Sequence, residues 1–152
     1  MRRLLSELSR IDNDFMAVVY TLNILTEAAY FYVILQAGYA VHEYPFFFYF
    51  YAASGGAIIV VTALLLGYNL RKSGLLRRMH LLLWVAALQA VTIVVDIAFA
   101  VLHGDFWIDG YVFLILELFF LAAYARRYLV LKKAEDTILT ETDREVHGNV
   151  EP

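Results

Sequence analysis

The chain has 152 residues, 62% hydrophobic and 16% aromatic, with a formal net charge of −3. A soluble domain averages about 45–50% apolar residues, so this composition, with a mean hydropathy of +0.65, excludes an ordinary soluble domain and gives no footing for nucleic-acid binding. The absence of cysteine excludes disulfides, thiolate metal sites and palmitoylation.

Four windows hold the apolar surplus, at about residues 14–37, 45–68, 79–102 and 106–130. Each is long enough for a hydrocarbon core of ~30 Å at about 1.5 Å per helical residue. The alternating ~10-residue segments of a membrane β-barrel are absent. The expected fold is therefore all-α and polytopic, a bundle of four transmembrane helices. The first window begins too late and runs too long for a signal peptide, and is expected to be an uncleaved anchor.

In chain order, residues 1–13 place Leu4, Leu5, Leu8 and Ile11 at helical spacing among arginines. That pattern predicts an amphipathic cytoplasmic segment lying on the membrane surface. Asp12, Asn13 and Asp14 are candidate N-caps for the first span. That span carries Glu27 about midway, with Asn23 one turn earlier on the same face. The second span opens at Pro45, suited to a first helical turn, with the run "FFFYFY" behind it. Tyr44, Tyr49, Tyr51, Trp107 and Tyr111 are expected to form an outer aromatic belt. Next, Ala52 with Gly56 and Ala53 with Ala57 make small-xxx-small pairs, which let helix backbones approach closely. An internal helix crossing is expected there.

The third span sets Gln89, Thr92 and Asp96 on one face, and the fourth carries Glu117. By helical rise, Glu27 and Glu117 fall at similar depth with Asp96 nearer the outside. The three carboxylates can therefore converge. No Lys or Arg lies between Arg10 and Arg71, or between Arg78 and Arg126. Without a cation in low dielectric, at least one carboxyl is expected to keep its proton and act as a donor. Such groups serve either as interhelical hydrogen bonds of about 0.6–2 kcal/mol or as a proton or cation site.

The Lys and Arg residues outside the spans are confined to one set of ends. Arg2, Arg3 and Arg10, then Arg71, Lys72, Arg77 and Arg78, then Arg126, Arg127, Lys132 and Lys133 fall at one set of span ends. The other two loops hold His42, Glu43, His103, Asp105 and Asp109 and no Lys or Arg. Basic loops stay in the cytoplasm, so both termini are expected there, with the basic patch drawing anionic inner-leaflet lipids. His42, His103 and Asp105 have ligand chemistry but match no metal motif, and no cofactor is expected. Residues 132–152 are acidic, polar and without aromatics, and are expected to form a disordered cytoplasmic tail. No nucleophile elbow, zinc-protease helix or phosphate loop occurs.

The last span and its exit, "LILELFFLAAYARRYLVLKKAED", preceded by two closely spaced central helices, resembles the lysosome-associated four-span proteins of LAPTM type and related small insect tetraspan proteins. The resemblance implies a non-enzymatic role in an endolysosomal membrane, binding other membrane proteins. The Pro-rich tyrosine motifs and cysteines of that family are missing here. Asn23, Gln89 and Glu117 are also similar to the polar positions of tetraspanins, whose Cys-rich outer loop is absent. From sequence, the expected role is that of a non-enzymatic organiser or regulator of other membrane proteins, or of its own oligomers, in an endolysosomal or plasma membrane. The alternative is an oligomeric proton or cation transporter using the intramembrane carboxylates.

Overall fold

The computed structural model describes residues 2–36, 45–71, 74–103 and 108–148. They form four helices: α1 (Arg2–Gln36), α2 (Pro45–Leu70), α3 (Leu75–His103) and α4 (Ile108–Gly148). Three helices contain stretches long and apolar enough to cross a membrane, Ile11–Val33, Pro45–Leu70 and Leu75–Leu102. In α4 the apolar run is interrupted by Glu117 and ends at Arg126 and Arg127.

Each helix packs against the next in sequence or space: α1 on α2, α2 on α3, α3 on α4, and α4 back on α1. The buried positions fall at steps of three and four. In α2 they are Ser54, Ile58, Thr62, Leu65 and Asn69, and in α4 they include Glu117, Phe120, Tyr124, Arg127 and Leu131. Such spacing keeps one stripe of each helix turned inward. The apolar part of that core centres on Met16, Tyr20, Ile58, Leu65, Leu82 and Val85, while Val60, Trp84, Val94 and Ile115 stay exposed. Outward-facing apolar side chains of this kind suit a lipid surround.

Between α2 and α3 the chain turns through Gly74, whose φ of 68° is open chiefly to glycine. A Cβ there would also meet the Tyr68 ring at 3.3 Å. The Gly74 carbonyl then accepts the Arg78 amide at 2.9 Å, closing the first turn of α3.

Two expected boundaries are not found. The segment 1–13 does not end before the first span, and Asp12 to Asp14 cap nothing, because α1 runs unbroken from Arg2 to Gln36. No Pro or Gly interrupts that stretch, and extending a formed helix avoids the cost of nucleation. The same physics carries α4 through residues 132–148, the part expected to be a disordered tail. There the Thr137 hydroxyl bonds back to the Lys133 carbonyl at 2.9 Å.

Candidate functional site

The inward stripes of the four helices bring their polar residues into one column. At the end carrying the basic residues, α1, α2 and α4 are fastened by Arg127. Its guanidinium donates to the Asp12 carboxylate, to Asn13 Oδ1 and, at 3.4 Å, to Asn69 Oδ1. Asn69 Nδ2 in turn donates to the Asn13 backbone carbonyl at 2.8 Å. Arg127 is only 4% exposed, so this is a desolvated ion pair, whose members strongly need one another. Arg126 shares Asp12 from outside at 2.8 Å and lies over the Phe15 ring at 5.9 Å.

One level further in, Asn23 Nδ2 donates to the Tyr124 hydroxyl and, at 3.4 Å, to Thr62 Oγ1. Tyr20 stacks on Tyr124 with ring centroids 5.9 Å apart. Beyond that level comes Glu27, buried beside Gln89 and against the backbone of α2. A Cβ at Gly55 would stand 3.2 Å from Glu27 Oε2, so the carboxyl fits where it does because residue 55 is glycine. At the far level the Tyr51 hydroxyl donates to Asp96 Oδ1, and the Glu117 carboxyl faces Asp96 from α4. Tyr30 packs edge-on against Tyr51 and beside Phe113.

Several polar atoms in this column are enclosed without a well-formed hydrogen bond among the described residues. They are Asn23 Oδ1, Glu117 Oε2 and both amide atoms of Gln89. Leaving a buried polar group unpaired costs about 1–3 kcal/mol, and most native groups avoid it. Nor is the cluster a metal cage, since among the described residues no three His, Asp or Glu side chains stand close enough to hold an ion. The acids are strung along the column, each within electrostatic reach of the next.

The six polar residues singled out in the sequence do lie inward, with differences of detail. Asn23, Glu27, Gln89, Thr92 and Glu117 are buried and Asp96 is half-buried. Thr92, however, spends its hydroxyl on its own helix, donating to the Leu88 carbonyl at 3.0 Å. The small-residue pairs are displaced. Ala53 and Gly56 face outward, with nothing within 4 Å of a Cβ at Gly56, and the close approach runs over Ser54 and Gly55 instead. Tyr51, expected in the aromatic belt, points inward to Asp96, whereas Tyr49 and Tyr111 are exposed. Arg127, expected in an open basic patch with Arg71, Arg77, Arg78, Arg126, Lys132 and Lys133, is sealed in the core. Tyr44, His42, Asp105, Trp107 and Lys72, and the side chain of His103, lie outside the described residues.

Tyr20, Tyr30, Tyr124, Thr62 and Asn69 stand out by neither type nor motif, and Asp12 and Asn13 stand out only as cap candidates. Spacing was the available signal. Asn69 lies seven residues from Thr62, and Arg127 ten from Glu117, each on the stripe its neighbour defines. No protein-family model, no curated protein and no solved structure matches the chain.

Proposed function

We propose that the chain is an integral membrane protein in which all four helices cross the bilayer as a bundle, and that its acid column takes up and releases protons. Both termini are then cytoplasmic, because the Lys and Arg residues gather at one set of helix ends. The observation that carries the proton reading is the Gln89 level. Among the described residues the fully buried Gln89 amide makes no well-formed hydrogen bond although it lies within reach of the Glu27 carboxyl, and the Glu117 carboxyl has one enclosed oxygen without a partner. Groups held for packing alone would be expected to pair, as both amide atoms of Asn69 do with Asn13 and Arg127. A carboxyl can both donate and accept as its proton comes and goes, so unpaired acceptors beside three carboxyls suit a proton in transit. Intramembrane acids without a partner cation commonly have this use. The spread of the acids along the axis favours a proton over a metal ion, which needs several ligands at one point.

The test is proton flux into proteoliposomes under an imposed potential, followed with an entrapped pH dye. The wild type should acidify the lumen, and Glu27→Gln, Asp96→Asn and Glu117→Gln should each reduce the rate at least tenfold. The amides preserve shape but carry no exchangeable acid proton. Equal flux in all four proteins would overturn the reading.

A second reading, a non-enzymatic organiser of other membrane proteins, is favoured by one feature. Ala53 and Gly56 leave an open, shallow strip on the outer face of α2, a surface another helix can approach closely. On that reading the same preparation shows no flux, and the amide variants change only the melting temperature.

A further inference from the structure

Outward of the carboxyls, away from the basic end, each helix places an aromatic ring one turn further along. On α1 Tyr30 follows Glu27 by three residues, and on α3 Phe99 follows Asp96 by three. On α4, which runs the other way, Phe113 precedes Glu117 by four residues. On α2 Phe47 likewise precedes Tyr51, whose hydroxyl donates to Asp96. Steps of three and four keep each ring on the face of its helix that carries the polar group. The rings then meet across the bundle. Tyr30 lies edge-on to Tyr51 with centroids 5.6 Å apart and 4.7 Å from Phe113, tying α1 to α2 and α4. Phe47 lies edge-on to Phe99 at 4.6 Å, tying α2 to α3. All five rings are half-buried, whereas Tyr32, Phe46, Tyr49 and Tyr111 on neighbouring positions are exposed.

Aromatic pairs at these separations are in contact, which leaves no room for water between the paired rings. An apolar constriction of this kind stops ions that must travel with their water. We propose that Tyr30, Phe47, Tyr51, Phe99 and Phe113 form an aromatic seal that sets the specificity of the acid column, keeping hydrated cations and water-borne solutes from the carboxyls. The proposal rests on the acid-column reading above and adds the selection at its outer end. The seal is not closed to a proton in the same way, because Tyr30 and Tyr51 bring hydroxyls to it. A hydroxyl can take a proton from hydronium while giving its own to a carboxylate, leaving water and a carboxylic acid. Tyr51 already donates to Asp96, so the rings that bar a metal ion offer a proton a route.

A reporter thiol just inside the seal tests this. The chain has no cysteine, and Ser54, one turn inward of Tyr51, is buried on the inner stripe of α2. Ser54→Cys changes one atom and places a thiol there. The probe is a methanethiosulfonate carrying a quaternary ammonium, which moves only through water, added to the full chain in detergent. Ser54→Cys should react at least a hundredfold more slowly folded than after unfolding in dodecyl sulfate. Adding Tyr30→Ala or Phe113→Ala should speed the reaction at least tenfold. Tyr49→Ala, on the exposed face, should leave it slow. Phe113→Leu removes the ring but keeps an apolar side chain, covers the case in which the alanine variants fail to fold, and should give a smaller rise. Fast reaction of folded Ser54→Cys overturns the proposal. So does an unchanged rate in every ring variant that melts as Ser54→Cys does, or a rise with Tyr49→Ala equal to that with Phe113→Ala. Labelling is read without proton flux, so the seal and the acid-column reading can fail separately.

Discussion

At position 55 a methyl group would stand 3.2 Å from the Glu27 carboxyl, whereas at position 56 it would meet nothing within 4 Å. The two adjacent glycines therefore separate helix propensity from the needs of the acid. Alanine is favoured over glycine in a helix by up to about 1 kcal/mol, so Gly56→Ala should raise the melting temperature in detergent. Gly55→Ala gains the same propensity but must push Glu27 away from its bed, and should give a smaller or negative change together with reduced flux. Equal melting shifts with unchanged flux would show that Glu27 does not depend on this approach. The acids themselves were readable in the sequence, because a carboxylate within an apolar run stands out by type. Tyr51 and Arg127 were not, since tyrosine and arginine are common at span ends and only helix rotation decides whether they face lipid or core. Gly55 was hidden for the same reason, one residue from the glycine that motif spacing selects.

At the scale of elements, the number and order of helices followed from four apolar windows, but their ends did not. Asp12 and Asn13 look like caps when α1 is considered alone. Their side chains instead answer Arg127 of α4, a residue 115 positions away from Asp12, and no local pattern can reveal such a pairing. The pairing fixes three helices at one level, and the cost of breaking it depends on burial. Asp12→Ala strands a guanidinium that is only 5% exposed at its side chain, and removing one member of a buried pair costs about 3–5 kcal/mol. Arg126→Ala removes a side chain that is 58% exposed, where an ion pair contributes at most about 1 kcal/mol. Thermal unfolding in detergent should therefore show a large loss for Asp12→Ala and little change for Arg126→Ala. Similar losses for both would mean that Arg127 finds another acceptor when Asp12 is gone.

For the whole molecule, the deciding matter is whether α4 crosses the membrane. Its apolar run carries Glu117 and ends at Arg126 and Arg127. The proposed fourth crossing rests on packing. Arg127 meets Asp12 and Asn13 near the start of the first apolar stretch and Asn69 at the end of the second, while Glu117 meets Asp96 toward the other end of α3. Helix α4 thus runs back along α3 from the acidic level to the basic one. The chain has no cysteine, so single cysteines can report topology without background. In intact cells, Ala40→Cys and Gly104→Cys should react with an impermeant maleimide, whereas Ser6→Cys and Thr142→Cys should react only after the membrane is opened. Labelling of Thr142→Cys from outside, with Ser6→Cys protected, would mean an odd number of crossings. Helix α4 would then lie outside the bilayer, Glu117 would face water, and a proton path through three carboxyls would lose its last member.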